Sequence, residues 1–338
     1  MQVAARSFGG PLFRQDEAMT DIVGASAGRH LQAIGPEALI GSVELLARSV
    51  RVALVSPAGQ IVRRAEKEFP VTGDAAVLRE TVQDTVFGCL QGSPLCGVGV
   101  ASAGLVDHTT GVLRRIDDQP GFSGYPIAAS LTRLLGCPVF VDHRARLQVL
   151  GDRWFGHGIG RASFASVATG DTLGLGILFE GKVIAPLGGR SGAHITVALG
   201  GRRCSCGNLG CWKTIATSTW LRQEAATRGL GPIDGVGDLI AAARGDTGAR
   251  RLMTDYADNL AVGLSSVQHL LAPGLYIVHG DAAAGGGTFL GRIEERLRAV
   301  SEWADFAERP RVVAADTAAD DVALLGGAGL VLSRLSGQ

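Results

Sequence analysis

Net charge is what this sequence most plainly lacks. Its 32 Lys and Arg residues balance 32 Asp and Glu over 338 residues, which gives no support for a broad nucleic-acid-binding surface. Long apolar runs are missing too: the longest are short, or broken by glycine and charge, so nothing has the length to cross a membrane as a helix. No charged stretch followed by an apolar run stands at the N-terminus, so no secretory signal is visible. Lysine is confined to Lys67, Lys182 and Lys213, a scarcity that says nothing about function. Outside one cluster the cysteines, Cys89, Cys96 and Cys137, are scattered. That fits reduced thiols better than a disulfide framework. The expectation is a cytoplasmic chain, long enough for a large core and two domains.

What is present concentrates between Gly189 and Thr214, which reads GRSGAHITVALGGRRCSCGNLGCWKT. His194, Cys204, Cys206 and Cys211 follow the spacing His-x9-Cys-x-Cys-x4-Cys. Three thiolates and one imidazole complete a tetrahedral zinc set and leave no position open for water or substrate. Gly207 and Gly210 let the loop turn back so that Cys206 and Cys211 reach one metal. The bland alternative is three loop cysteines beside an unrelated histidine, but half of the six cysteines fall within eight residues. A closed site of this kind does no chemistry. It fixes the loop that carries it, and neighbouring residues inherit that rigidity.

Periodicity along the chain predicts an α/β fold. Ser49 to Val55 and Gln60 to Arg64 form a hairpin around Pro57-Ala58-Gly59. A helix is expected over Ala75 to Leu90, strands over Gly97 to Ala101 and Val112 to Ile116, a helix over Pro126 to Leu135 and a strand over Pro138 to Asp142. Helical spacing returns from Ala145 to Trp154. A second hairpin pairs Ala165 to Ala168 with Gly174 to Phe179. Further helices are expected over Thr217 to Gly229 and Val236 to Arg244. The clearest helix runs from Asp246 to Leu271, with the stripe Leu252, Tyr256, Leu260, Leu264, Val267 and Leu271 expected in the core. Leu275 to Val278 is a buried strand, followed by a glycine loop, a helix from Leu290 to Val300 and a small-residue helix from Asp320 to Leu335.

The zinc spacing and the paired hairpins resemble the ROK family of repressors, open reading frames and sugar kinases, over roughly Gly28 to Leu335. The resemblance implies a two-domain actin-like (ribonuclease H-like) sugar-kinase fold. Its domains would span residues 38–142, joined by part of the C-terminal helix 320–338, and 143–338, with the zinc loop at 189–214. It also implies that the zinc histidine touches the sugar, and that the chain forms a homodimer or homotetramer. ROK repressors carry a winged helix-turn-helix domain first. Residues 1–37 are too short and too rich in Gly and Pro for one; they read as an arm, disordered or packed on the body, and no direct DNA binding is expected.

The family's chemical residues are poorly matched. Its first phosphate loop, Asp-x-Gly-x-Thr, corresponds to Glu44-Leu45-Leu46-Ala47-Arg48, where Leu46 puts a side chain at the phosphate approach. The second loop keeps Gly170, Thr172 and Gly174, but Asp171 would repel a triphosphate. The adenosine loop keeps Gly280, Gly285 and Gly286. The family's Glu-Asn-Asp corresponds to Asp142-His143-Arg144, so Arg144 stands where the general base should be, and a guanidinium cannot be one. His143 and Asp142 are the remaining candidates. In the sugar grip, Ser191 replaces a Glu, Lys213 replaces another, and Asp118 replaces an Asn, while His194 is kept. Over Arg144, Ser191 and Lys213 the cleft loses three acids and gains two cations.

Phosphoryl transfer depends on positioning and charge, so these losses favour a ROK protein without kinase activity: a sensor or regulator of a small molecule, with structural zinc and without ATP. An anionic sugar derivative suits the changed charge. A sugar kinase with a shifted base, or a different reaction in the same cleft, is the alternative.

Overall fold

The computed structural model describes residues 38–70, 74–116, 119–185, 192–302, 308–318 and 321–337. The arm expected at 1–37 lies outside them.

Two five-stranded sheets share one design. In the first, β1 (Leu39–Leu45), β2 (Ser49–Val55) and β3 (Ile61–Glu68) run antiparallel, and β4 (Leu95–Ser102) and β7 (Val139–His143) extend the sheet parallel to β1, in the order β3-β2-β1-β4-β7. In the second, β8 (Phe164–Thr169), β9 (Gly174–Phe179), β10 (Lys182–Val183), β11 (Leu275–Gly280) and β12 (Arg311–Ala314) repeat that order as β10-β9-β8-β11-β12. A small hairpin of β5 (Leu105–Asp107) and β6 (Val112–Arg115) stands apart from both.

The helices are α1 (Ala75–Leu90), α2 (Ile127–Leu135), α3 (Arg144–Phe155), α4 (Ser218–Thr227), α5 (Val236–Ala243), α6 (Thr247–Leu271), α7 (Gly286–Ala299) and α8 (Val322–Leu335). Asp74 caps α1 and Asp246 caps α6, each accepting a backbone N–H of the first turn. The α6 stripe is core as expected: Leu252, Tyr256, Leu260, Leu264 and Val267 are buried, and Tyr256 stacks on Trp220 at 5.7 Å. Burying such a stripe is what holds a long helix in place.

Two helices join the sheets. The apolar α8 packs across β1 and β4, and α3 packs against β9 and against α8. Glycine permits the approach. A Cβ on Gly326 would stand 2.4 Å from the Leu147 carbonyl oxygen, and one on Gly99 2.0 Å from that of Gly327.

The structure corrects several expectations. The chain's first sheet opens one strand earlier than read, with β1. Its LIGSVEL pattern hides as a strand because Ser42 and Glu44 are polar yet fully buried. Ser42 Oγ satisfies itself by donating to the Leu324 carbonyl at 2.6 Å. The segment Val112–Arg115 pairs with β5 rather than joining a main sheet. The last glycine turn is shorter than expected, because α7 starts at Gly286 rather than Leu290; burial of Phe289 and Leu290 outweighs weak glycine propensity. The short strands β10 and β12 had no sequence signal.

Candidate functional site

A cleft of about 410 Å³ lies where the β1–β2 turn (Leu46, Ala47), the segment after β4, the start of α3, the β8–β9 turn and the cysteine-rich loop converge. Among the sequence candidates it gathers His143, Arg144, Thr172, Gly174, His194 and Lys213. Asp118 and Ser191 lie outside the described residues. The remaining glycine candidates, Gly170, Gly280, Gly285 and Gly286, are not among its lining residues.

The start of α3 fixes the floor. His143 caps the helix, its Nδ1 accepting the Ala145 N–H at 3.2 Å. Asp142 accepts the His143 N–H at 2.6 Å and the Arg146 Nε–H at 2.6 Å. Burial, reinforced by Arg146 and Arg144, pulls the His143 imidazole down to about 4, against the opposing pull of Asp142. His143 is therefore neutral at ordinary pH.

Arg144 has a partner the sequence reading did not assign. Its Nε lies 2.6 Å from Oε1 of Glu44, whose other oxygen meets Arg51 Nη1 at 2.9 Å. Asp142 is engaged instead by Arg146, four residues on. Glu44 is fully buried, and a buried carboxylate demands cations. The signal was legible in principle, because Glu44 and Arg51 are opposite residues of β1 and β2. Lys213 reaches back to Ser205 Oγ at 3.4 Å, within its own loop.

The two turns that would face phosphates differ. Between β1 and β2 the Leu46 N–H bonds the Ser49 carbonyl at 2.9 Å, and the turn offers the side chains of Leu46 and Ala47 to the cleft. Between β8 and β9, Gly170 takes a φ of +147°, a conformation that glycine adopts freely. Asp171 there is not a bare acid: it pairs with Arg222 at 2.5 Å. After β11, Gly280 is forced by space, since a Cβ would lie 2.0 Å from the Thr169 carbonyl oxygen. Asp281 beside it accepts Ser218 Oγ at 2.6 Å and the Val236 N–H at 2.9 Å.

The cysteine-rich loop brings its donors together. One ligand atom each from His194, Cys204, Cys206 and Cys211 lies within 4.8 Å of all the others. Cys204 Sγ is 3.6 Å from His194 Nδ1, and Cys206 Sγ is 3.6 Å from Cys211 Sγ. Ligands about 2.0–2.3 Å from one tetrahedral centre stand roughly 3.5–3.8 Å apart, so the residues fit a zinc ion. Burial and the neighbouring thiols push Cys211 up to about 12, and a cation at the centre of such a cluster is what would let the thiolates form. Gly210 makes the loop possible: its φ is +68°, and a Cβ would meet the Ala198 carbonyl oxygen at 1.7 Å. Next to Cys211, the buried Trp212 donates to the Asn259 carbonyl at 2.7 Å and packs over Gly263 of α6. The loop is thereby tied to the core beneath the cleft.

Sequence reasoning missed Gln148, one turn into α3. It lines the cleft and is 3% exposed, and its Nε2 has no hydrogen-bond partner among the described residues. Nothing in the local sequence marks it.

Comparison with known proteins agrees with this architecture. A family model described as the ROK family matches residues 40–334. A glucokinase of Thermotoga maritima is 25% identical over 322 residues, covering 88% of this chain and 98% of the relative. Among solved structures, a ROK hexokinase of Thermus thermophilus superposes with a TM-score of 0.73 at 23% identity, covering 89% of this chain and 100% of the other. A ROK family transcriptional regulator, a homologue of the Escherichia coli Mlc protein, gives 0.77 at 20% identity, covering 89% and 79%.

Proposed function

The chain belongs to the ROK family, with the actin-like fold of its sugar kinases, and from that premise we propose that it binds a small molecule in this cleft without phosphorylating it. Kinases and transcriptional repressors both stand among its relatives, so family membership does not choose between catalysis and sensing. The site supports sensing. The observation that carries this is the Arg144–Glu44 ion pair at 2.6 Å. At the position from which the family takes the hydroxyl proton stands a permanently charged donor, and the buried carboxylate of Glu44 is neutralised by it and by Arg51. Neither group is free to act as a base. The β1–β2 turn adds side chains where a phosphate would need open backbone.

In this reading the ligand is a small anion, such as a sugar acid or sugar phosphate, and Arg144, His143, His194 and Lys213 face it, with Asp118 and Ser191 of the flanking segments. ATP has no part in it. Zinc, held by His194, Cys204, Cys206 and Cys211, would keep the loop beneath the ligand in shape. The working unit is a cytoplasmic homodimer or homotetramer of two-lobed subunits, dividing near residue 142.

A coupled ADP-release assay with glucose, N-acetylglucosamine and N-acetylmannosamine tests the reading. No sugar-dependent release is expected. Turnover in the ordinary enzyme range, about 1–1000 per second, would overturn it.

A further inference from the structure

We propose that Gln148 and Arg144 together form a carboxylate seat at the N-terminus of α3, so that the ligand of this cleft is a small monocarboxylate. The proposal rests on the reading of the cleft as a binding site without phosphoryl transfer, and deepens it to a ligand class.

The first observation is the orphaned amide. Gln148 lines the cleft at 3% exposure with its Nε2 unpartnered among the described residues. A buried donor left without an acceptor is costly, and native structures rarely keep one without use. The missing partner is an acceptor, and the cleft is where it can come from.

The second observation is Arg144. It stands four residues before Gln148, so the two side chains share one face of α3. Glu44 pairs with Arg144 through Nε, and among the described residues the guanidinium makes no other ion pair or hydrogen bond. Both Nη groups are left to donate, and the side chain is 32% exposed where it lines the cleft. A planar carboxylate can set one oxygen on Arg144 Nη and the other on Gln148 Nε2. The positive end of α3, a helix of 12 residues, points the same way.

Charge selects between anions. Arg51 also stands 3.7 Å from Glu66, so the two arginines and two glutamates of this network balance, and a single carboxylate adds the least charge to it. A phosphate near pH 7 carries about 1.5–2 negative charges and three acceptor oxygens, more than this pair of donors can satisfy. Arg115 and Lys213 also line the cleft, and among the described residues no acid does. A neutral sugar would leave the seat empty.

Calorimetric titration of the full chain with D-glucuronate, D-gluconate, benzoate, D-glucose 6-phosphate and D-glucose tests this. At least one carboxylate is expected to bind about tenfold or more tighter than both the phosphate and the neutral sugar. Gln148→Leu should weaken that carboxylate by about tenfold or more while its melting temperature holds or rises, because an unsatisfied buried donor has been removed. Gln148→Glu, whose own carboxylate can occupy the seat beside Arg144, should abolish binding; Gln148→Met repeats the Leu test should Leu fail to fold. Preference for the phosphate, no binding by any carboxylate, or carboxylate affinity unchanged in the folded Gln148 variants overturns the seat. Sugar-dependent ADP release would instead sink the reading beneath it, so the two failures are distinguishable.

Discussion

The β1–β2 and β8–β9 hairpins occupy the same place in two sheets of one strand order, yet their turns have parted company. In the second, Gly170 and the glycines of β9 keep a turn shaped by backbone, and the Gly170 carbonyl accepts the Ser218 N–H at 2.8 Å. In the first, no described residue before Gly59 shows a positive φ. The turn closes on ordinary residues, and Glu44 behind it is committed to two arginines. The difference separates scaffold from chemistry. A turn can lose the residues that face a ligand and still close, because strand pairing needs only its backbone bonds. What has changed between the two halves is charge and side-chain volume at the cleft, with strand order untouched.

The halves should also differ in what holds them, and the largest test concerns metal. The cysteine-rich loop ties into α6 through Trp212 and so packs with the core of the second sheet. Purified protein is expected to carry about one zinc per chain. Cys206→Ser should cost several kcal/mol, because site formation contributes folding free energy, about 10–16 kcal/mol in isolated zinc-finger peptides. Hydrogen exchange should show the loss at β8, β9 and α6, with β1, β2 and β4 protected as before. Metal content well under one per chain, or loosening spread evenly over both sheets, would contradict this asymmetry.

A second contrast lies within α3, which faces both sheets. Toward the second sheet its Asp152 accepts Ser166 Oγ and stands 2.8 Å from His279 Nε2, with Asp152 and His279 3% exposed. Toward α8 its backbone at Leu147 lets Gly326 approach closely, and Trp154 Nε1 donates to Ser333 Oγ at 2.9 Å. Asp152→Ala strips two buried groups of their partner and should cost about 3–5 kcal/mol. Gly326→Ala forces overpacking, with an expected cost of about 1–3 kcal/mol. Chemical denaturation of the two variants gives the order directly. The reverse order would mean that backbone packing, and not the polar cluster, is the stronger tie.

The same local-versus-distant distinction explains what could be read from the sequence. The zinc spacing, the α6 stripe and the hairpin around Gly59 are local patterns, and each was legible from a few neighbouring residues. Strand β1 was not, because Ser42 finds its acceptor 282 positions away at Leu324. That Arg144 stands beside His143 at the start of α3 was legible by position. What Arg144 does there depends on a carboxylate one hundred residues earlier in the chain. Gln148 is an extreme case: its meaning lies in having no partner, which only the packed environment reveals. Lys213 lines the cleft, but its reach toward Ser205 is set by the folded loop.

The smallest expected effect tests His143, where the first sheet hands over to α3. Its imidazole is neutral in the folded chain, pulled down to about 4 by burial and by Arg146 and Arg144, against about 6.5 when unfolded. As pH falls, the unfolded chain takes up the proton first. Stability is therefore whole above about 6.5, is lost progressively between about 6.5 and 4, and changes no further from this group below that. Between pH 7 and 4.5 the loss should be about 2–3 kcal/mol. Carboxylates and the cysteine-rich loop respond to acid as well, so the informative quantity is a difference. Asn at this position can cap α3 as His143 does, and it cannot titrate. Denaturation of the wild type and His143→Asn at successive pH values should give curves that part below 6.5, with the wild type falling faster. Curves that stay parallel down to 4.5 would show that His143 is solvated enough to protonate in place, and that the floor of the cleft is wetter than its packing implies.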